Sequence, residues 1–152
     1  MLLWLSTFLA FLLSLTAKIL ADLFLDHRIP VIGSFVGLEL THNAGVAFGV
    51  QFGGFQTILI VIAFVAILHV AVKNSRTVIS RVGFGMILGG ALGNIADRLP
   101  DRLVTDFFQV GTFPVFNVAD SCITVGVGLL ILEAVLKWCF VQRVPTRPRV
   151  PK

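Results

Sequence analysis

The stretch "VTDFFQVGTFPVFNVAD", Val104 to Asp120, carries an aspartate near each end of a mostly apolar run. A carboxylate beside hydrocarbon is costly unless it is paired, lodged in a polar cavity or functional. Two carboxylates brought close together cannot both ionise easily, so one keeps its proton while the other stays charged. Such a pair holds a general acid and a general base at once. The base takes a proton from water, the water attacks an amide carbonyl, and the acid protonates the leaving nitrogen. This chemistry needs no cofactor. Asp106 and Asp120 form such a dyad if the fold turns them toward each other. Asp120 also has a plainer reading. Asn117 and Asp120 stand three apart after Pro114, where Asn117 serves as a helix N-cap and Asp120 as its N3 acid. Asp106, beside Thr105, Phe107 and Phe108, has no comparable local role, and burial there would raise its pKa.

Other catalytic machinery is missing from the sequence. His27, His42 and His69 are scattered with no HExxH spacing, so no metal site is expected. There is no phosphate-binding GxxxxGK[ST] loop, no GxGxxG, no GxSxG and no GxGD. Cys122 and Cys139 share one apolar run, too far apart along a helix for a disulfide, and read as packing residues. The remaining polar candidates are few. In "THNAGVAF" Asn43 and Gly45 suit a turn, though a side-chain amide there could also hold a peptide backbone. Asn94, Asp97 and Arg98 close the stretch "GFGMILGGALGNIADRLP". They read either as a helix terminus stopped by Pro100 or as a polar shell facing a site. Spacing alone does not separate the two. Lys18 lies inside the first apolar run, either snorkelling or anchoring a polar network.

The elements that must position these residues are set by composition. The chain has 152 residues, of which 57% are hydrophobic and only 13% charged, with a mean hydropathy of +0.96. A soluble domain would carry about a quarter charged residues, so a single polytopic membrane domain is expected. Apolar runs at about residues 2–24, 55–72, 78–95 and 116–140 have the length of bilayer-spanning helices. The first run lacks the basic start of a cleaved signal peptide. Within the third, Gly85, Gly89 and Gly93 form a small-residue stripe that lets another helix approach. Residues 29–50 should form a small outer β element, because "VGLELTH" alternates in strand fashion. The Pro- and Arg-rich tail, 141–152, reads as disordered and resting near anionic lipid.

The net charge of +4 is explained by sidedness. Eight of the twelve basic residues fall at the turn between runs two and three or in the tail. Four spans put both places on one face, the cytoplasmic one by the distribution of Lys and Arg. No nucleic-acid partner is needed. Seven of the eight acids lie at the opposite, outer ends. Glu133 is the exception, with Lys137 one turn away as its natural partner. A proton- or cation-handling transporter or scaffold is the competing function, and it would place acids at several depths.

Taken in order, these motifs resemble those of lipoprotein signal peptidase, the type II signal peptidase of bacteria. "NAGVAF" (43–48) is similar to the family's N-x-G-A-A-F, with Val46 in place of the first alanine. "GALGNIADR" (90–98) resembles its G-x-x-G-N-x-x-D-R block. "VTDF" and "FNVAD" resemble the two segments that each bring one catalytic aspartate. The resemblance implies four transmembrane helices with an extracytoplasmic β-cradle, and an aspartyl endopeptidase without cofactor or metal. Its substrate would be a diacylglyceryl prolipoprotein, cut just before the lipidated cysteine. It implies Asp106 and Asp120 as catalytic residues. Asn43, Gly45, Asn94, Arg98 and Asn117 would hold the substrate or orient the dyad, with Lys18, Gly93 and Asp97 in support. A monomer among membrane lipids is expected. One position departs from the pattern: Ser14 stands where the family usually has an aspartate four residues before the lysine. Asp22, one turn after Lys18, is the expected substitute counter-charge.

Overall fold

The computed structural model describes residues 1–45 and 55–142. The second half of the "NAGVAF" motif, the far end of the expected outer β element and residues 143–152 of the tail lie outside the described residues. Among the described residues there are four helices and four strands, in the order α1 (Leu2–Phe24), β1 (Ile29–Ile32), β2 (Val36–Asn43), α2 (Gln56–Asn74), α3 (Val78–Asp101), β3 (Val104–Val110), β4 (Phe113–Phe116) and α4 (Val118–Gln142). α1, α3 and α4 are each long and apolar enough to cross a membrane, and α2 contributes a shorter apolar helix. Large apolar side chains point outward, with Leu13, Ile62 and Ile131 all more than half exposed. Hydrocarbon outside and polar groups inside suit a protein whose solvent is lipid.

α3 is the central helix, packed against α1, α4 and α2. Its glycines explain the fit. A Cβ on Gly89 would lie 2.4 Å from the Thr7 carbonyl oxygen and 2.6 Å from Ala10 Cβ. One on Gly85 would strike Ser6 and one on Gly93 would lie 2.8 Å from Ser14 Cβ. The stripe therefore seats α1. On another face Gly83 meets the Gly126 carbonyl of α4 and Gly90 that of Ala119, so α3 approaches two neighbours at backbone distance.

The N-terminus of α3 is capped by Thr77, whose hydroxyl and backbone exchange hydrogen bonds with Ser80. Thr77 Oγ1 also donates to Glu133 Oε1 at 2.8 Å, and Lys137 Nζ lies 2.6 Å from the same oxygen. Glu133 thus has its helix partner and also ties α4 to the start of α3. At the other end, the helix terminates at Pro100 to within a residue, with Arg98 in its last turn. α3 continues to Asp101 and closes on Arg102 in the left-handed region, φ 68°. Pro100 sits in the last turn, where its missing N–H costs one hydrogen bond but the chain can still complete the helix. This last turn carries Asp97 and Arg98 to where the sheet begins.

The sheet is antiparallel in the order β1-β2-β3-β4. Gly33 and Gly111 adopt positive φ, 53° and 52°, in the turns that close the two hairpins. The Gly111 amide donates to the Phe35 carbonyl at 2.6 Å, joining the two turns. Phe107 packs with Ala21 and Leu25 and so fastens β3 to the end of α1. Because β4 leads directly into α4, the β3–β4 hairpin brings the two halves of "VTDFFQVGTFPVFNVAD" back to one place.

Candidate active site

Asp106 lies on β3, opposite Thr41 of β2. It is 3% exposed, yet both of its oxygens are bonded. Asn43 Nδ2 donates to Oδ2 at 3.1 Å and Asn117 Nδ2 donates to Oδ1 at 2.6 Å. Burial pushes the Asp106 carboxyl above the ordinary carboxylate range. The amide donors of Asn43 and Asn117 pull it back down, and the nearby Asp120 charge adds to the rise.

Asp120 occupies the first turn of α4 in the expected capping box. Its backbone N–H donates to Asn117 Oδ1 at 3.0 Å, and the Asn117 N–H donates back to Asp120 Oδ2 at 3.3 Å. Its other oxygen, Oδ1, accepts from Asn94 Nδ2 at 2.8 Å. The capping reading of this motif therefore holds, and it leaves Oδ1 free to meet Asn94. The cap fixes Asp120, and the fully buried Asn117 uses its remaining donors on Asp106 and on Asn94 Oδ1.

Asn117 and Asn94 thus link the two carboxylates, and Asn43 holds Asp106 from the other side. Asn43 adds a second local role, since its Oδ1 accepts the Gly45 N–H at 2.7 Å in the expected turn. Gly45 in turn gives its carbonyl to Arg98 Nη2 at 2.8 Å, while Arg98 Nη1 bonds the Asn94 carbonyl at 3.1 Å. Arg98 is buried, and its Nε has no hydrogen-bond partner among the described residues. The choice left open for Asn94, Asp97 and Arg98 falls to the polar shell, because all three point their side chains into contacts across the fold.

Lys18 does not snorkel. It is 1% exposed and donates to Asn94 Oδ1 at 2.6 Å and to Asp97 Oδ2 at 2.8 Å. The expected Lys18–Asp22 pair is absent, and Asp97 of α3 is the counter-charge. The two share a face of α1, one turn apart, but Lys18 is buried where it reaches across to α3, whereas Asp22 is exposed at the end of α1 and is taken up by His42 Nε2 at 3.4 Å and the Thr105 hydroxyl at 3.3 Å. Ser14, also on that inner side, bonds the Ala10 carbonyl at 2.6 Å and packs against Gly93. Gly93 accordingly supports the site through close packing.

Asp97 also accepts the Thr105 amide N–H at 2.7 Å, so it joins α1, α3 and β3. Thr105 was not among the residues expected to matter. Its only sequence signal is a polar side chain beside Asp106 in an apolar strand.

Asn43, Asn94, Arg98, Asp106 and Asp120 line one cavity of about 680 Å³. Its remaining wall is mostly apolar: Ile60 of α2, Ala91 of α3, Phe113 to Phe116 of the hairpin, and Ile123 to Val125 of α4. Among the described residues, no group of three histidine, cysteine or acidic side chains is placed to hold a metal ion. The cavity joins two carboxylates to an apolar trough at one end of a helix bundle. That arrangement suits hydrolysis of a peptide that is itself embedded in lipid.

Known proteins share this chain's sequence pattern and its fold. Residues 6–136 match the family model described as signal peptidase (SPase) II. The lipoprotein signal peptidase of Shouchella clausii is 37% identical over 117 residues, covering 74% of this chain and 78% of that one. That of Symbiobacterium thermophilum is 41% identical over 119 residues, with the same coverage of 74% and 78%. That of Brucella ovis is 44% identical over 113 residues, covering 68% and 70%. Among solved structures, a bacterial membrane enzyme determined by the in meso method at 2.3 Å superposes with a TM-score of 0.80 at 27% identity, over 95% of this chain and 93% of that one. Sequence, fold and family model converge on one assignment: the chain belongs to the signal peptidase II family.

Proposed function

We propose that this protein removes signal peptides from diacylglyceryl prolipoproteins, with Asp106 and Asp120 as its catalytic dyad. The observation that carries the reading is the shared frame of three asparagines that holds both carboxylates at one cavity. Asp106, the more deeply buried of the two, keeps its proton and acts first as the acid. Asp120, steadied by Asn94 and by the Asn117 amide, is the base. It takes a proton from a water molecule, whose oxygen attacks the carbonyl carbon before the lipidated cysteine, while Asp106 gives its proton to the carbonyl oxygen. As the tetrahedral intermediate collapses, the cysteine nitrogen leaves with the proton held by Asp120, and Asp106 recovers its own. The two carboxyls end in their starting states.

The apolar trough suits the rest of the substrate. Among the described residues α2 packs on α3 and barely touches α4, so the bundle is open between α2 and α4. A signal peptide arriving as a membrane helix would enter there, with its scissile bond at the sheet end of the bundle. The distribution of basic residues supports an outer location for that end, with both termini cytoplasmic. Asn43, Gly45, Asn94, Arg98 and Asn117 would hold substrate backbone or keep the dyad aligned, and Lys18, Gly93 and Asp97 would brace them.

The test is cleavage of a lipidated prolipoprotein by purified enzyme in detergent. Asp106→Asn and Asp120→Asn should each lose at least about a hundredfold in rate, the lower range for losing a general acid or base. Full cleavage by either folded variant would reject the dyad.

A further inference from the structure

The strand that carries Asp106 is held from behind by groups that the hydrolysis above does not use. Successive strand residues point to opposite faces, so Thr105 stands on the face turned away from the Asp106 carboxyl. It is 4% exposed. β4 pairs with β3 only from Phe108 onward, which leaves the first half of β3 without a strand on that edge. Asp97 fills the gap by accepting the Thr105 amide N–H at 2.7 Å. The Thr105 hydroxyl then lies 3.3 Å from Asp22 Oδ2 and 3.4 Å from Asp97 Oδ1. A hydroxyl has one proton to give, so it is shared between a carboxylate from the end of α1 and one from α3. The other Asp22 oxygen faces His42, which pairs with Thr105 across β2 and β3.

We propose that Thr105, with Asp22 behind it, is a positioning residue for the hydrolysis. Its hydroxyl sets the depth and rotation of the β3 backbone and so the reach of the next residue, Asp106, into the cavity. Asn43 and Asn117 hold the head of that carboxyl, and Asn43 pairs with Val104 from the β2 side, but neither reaches the opposite edge of β3, where Thr105 meets Asp97. Both hydroxyl contacts are long, so they fix position more than they add stability. A small displacement of a reacting group is enough to matter, since an error of about 1 Å can cost about a hundredfold in rate. Asp22 is half-exposed, so its removal uncovers no core.

The proposal rests on Asp106 belonging to the dyad, and the experiment separates the two ideas. Full-length Thr105→Val, Thr105→Ser, Asp22→Ala and Asp106→Asn are compared with wild type for kcat, KM and thermal midpoint on the lipidated substrate. Thr105→Val keeps the shape and loses the hydroxyl. It should lower kcat about tenfold or more with KM within about twofold, and Thr105→Ser should stay close to wild type. Asp22→Ala should lower kcat with an unchanged midpoint, and it decides the matter should Thr105→Val fold poorly. Wild-type kcat in Thr105→Val and Asp22→Ala beside an inactive Asp106→Asn overturns the positioning role alone. So does a loss confined to KM or to the thermal midpoint, or a Thr105→Ser as impaired as Thr105→Val. Full activity in Asp106→Asn overturns the dyad, and this proposal with it.

Discussion

Asp106 and Asp120 are joined through Asn117 and Asn94, but Asp106 is the more deeply buried, and that burial sets its expected titration. Burial raises Asp106, while the donors of Asn43 and Asn117 work against it. The alkaline limb of kcat/KM, which reports the free enzyme's acid, should therefore lie above the ordinary carboxylate range. Asn43→Asp keeps the oxygen that accepts the Gly45 N–H but replaces the donor to Asp106 with a like charge. Both changes favour the protonated form, so the limb should move to higher pH in a pH–rate profile. The same shift has a sign for stability. A carboxyl whose folded pKa is raised contributes fully below its unfolded value, and that contribution fades as pH rises through the folded value. The thermal midpoint of Asp106→Asn should thus gain on wild type as pH rises above the ordinary carboxylate value of about 4. The sequence carried half of this. The Asn117–Asp120 capping box is local and could be read from spacing. The reach of Asn117 to Asp106 depends on how β3 and β4 fold back, and spacing does not record that. Lys18 makes the same point: the near acid in sequence, Asp22, is taken up by His42 and Thr105, and the true partner is 79 residues away.

At the level of elements, the site depends on how closely α3 lies against α1. Asn94 and Asp97 meet Lys18 only because the glycines below them allow backbone contact. A methyl on Gly89 would meet backbone atoms of α1, 2.4 Å from the Thr7 carbonyl oxygen and 2.9 Å from the Phe11 nitrogen. Nothing there is a flexible side-chain end that could swing aside. Gly89→Ala should destabilise by about 1–3 kcal/mol, the usual cost of overpacking, and should reduce cleavage by spreading Lys18 from Asn94. Gly128 of α4 has nothing within 4 Å of an added Cβ, so Gly128→Ala is the control and should leave both thermal midpoint and activity unchanged. The small-residue stripe was legible as packing, because every fourth position lines one helix face. Its partner was not, and an incoming substrate helix was as good a candidate as α1. The strand in "VGLELTH" was legible from alternation. The end of α3 was legible at Pro100, one residue before the helix closes, because proline is tolerated in a last turn but does not continue a helix.

On the scale of the whole molecule, the polar groups gather at one end of an oily bundle and the described basic residues Lys73, Arg76, Arg81 and Lys137 lie at or toward the other. Composition and charge distribution made that axis legible. The lateral opening was not, because it arises from α2 leaning on α3 and away from α4, and no single residue marks it. If a substrate helix occupies that opening, filling it should hinder binding while leaving the dyad intact. Ala91 lines the trough on α3 between Ile60 of α2 and Ile123 of α4, one turn before Asn94 but without polar contacts of its own. Ala91→Phe would place a ring in a cavity of about 680 Å³ without touching either carboxylate or its asparagines. It should raise KM for a lipidated prolipoprotein by about tenfold, a loss of roughly 1.4 kcal/mol in binding, with the thermal midpoint kept. A short soluble peptide that spans only the cleavage site makes less use of the trough, so its slower cleavage should change little. Equal losses on both substrates would mean that the ring disturbs the dyad, and no loss on either would mean that the signal peptide does not pass between α2 and α4.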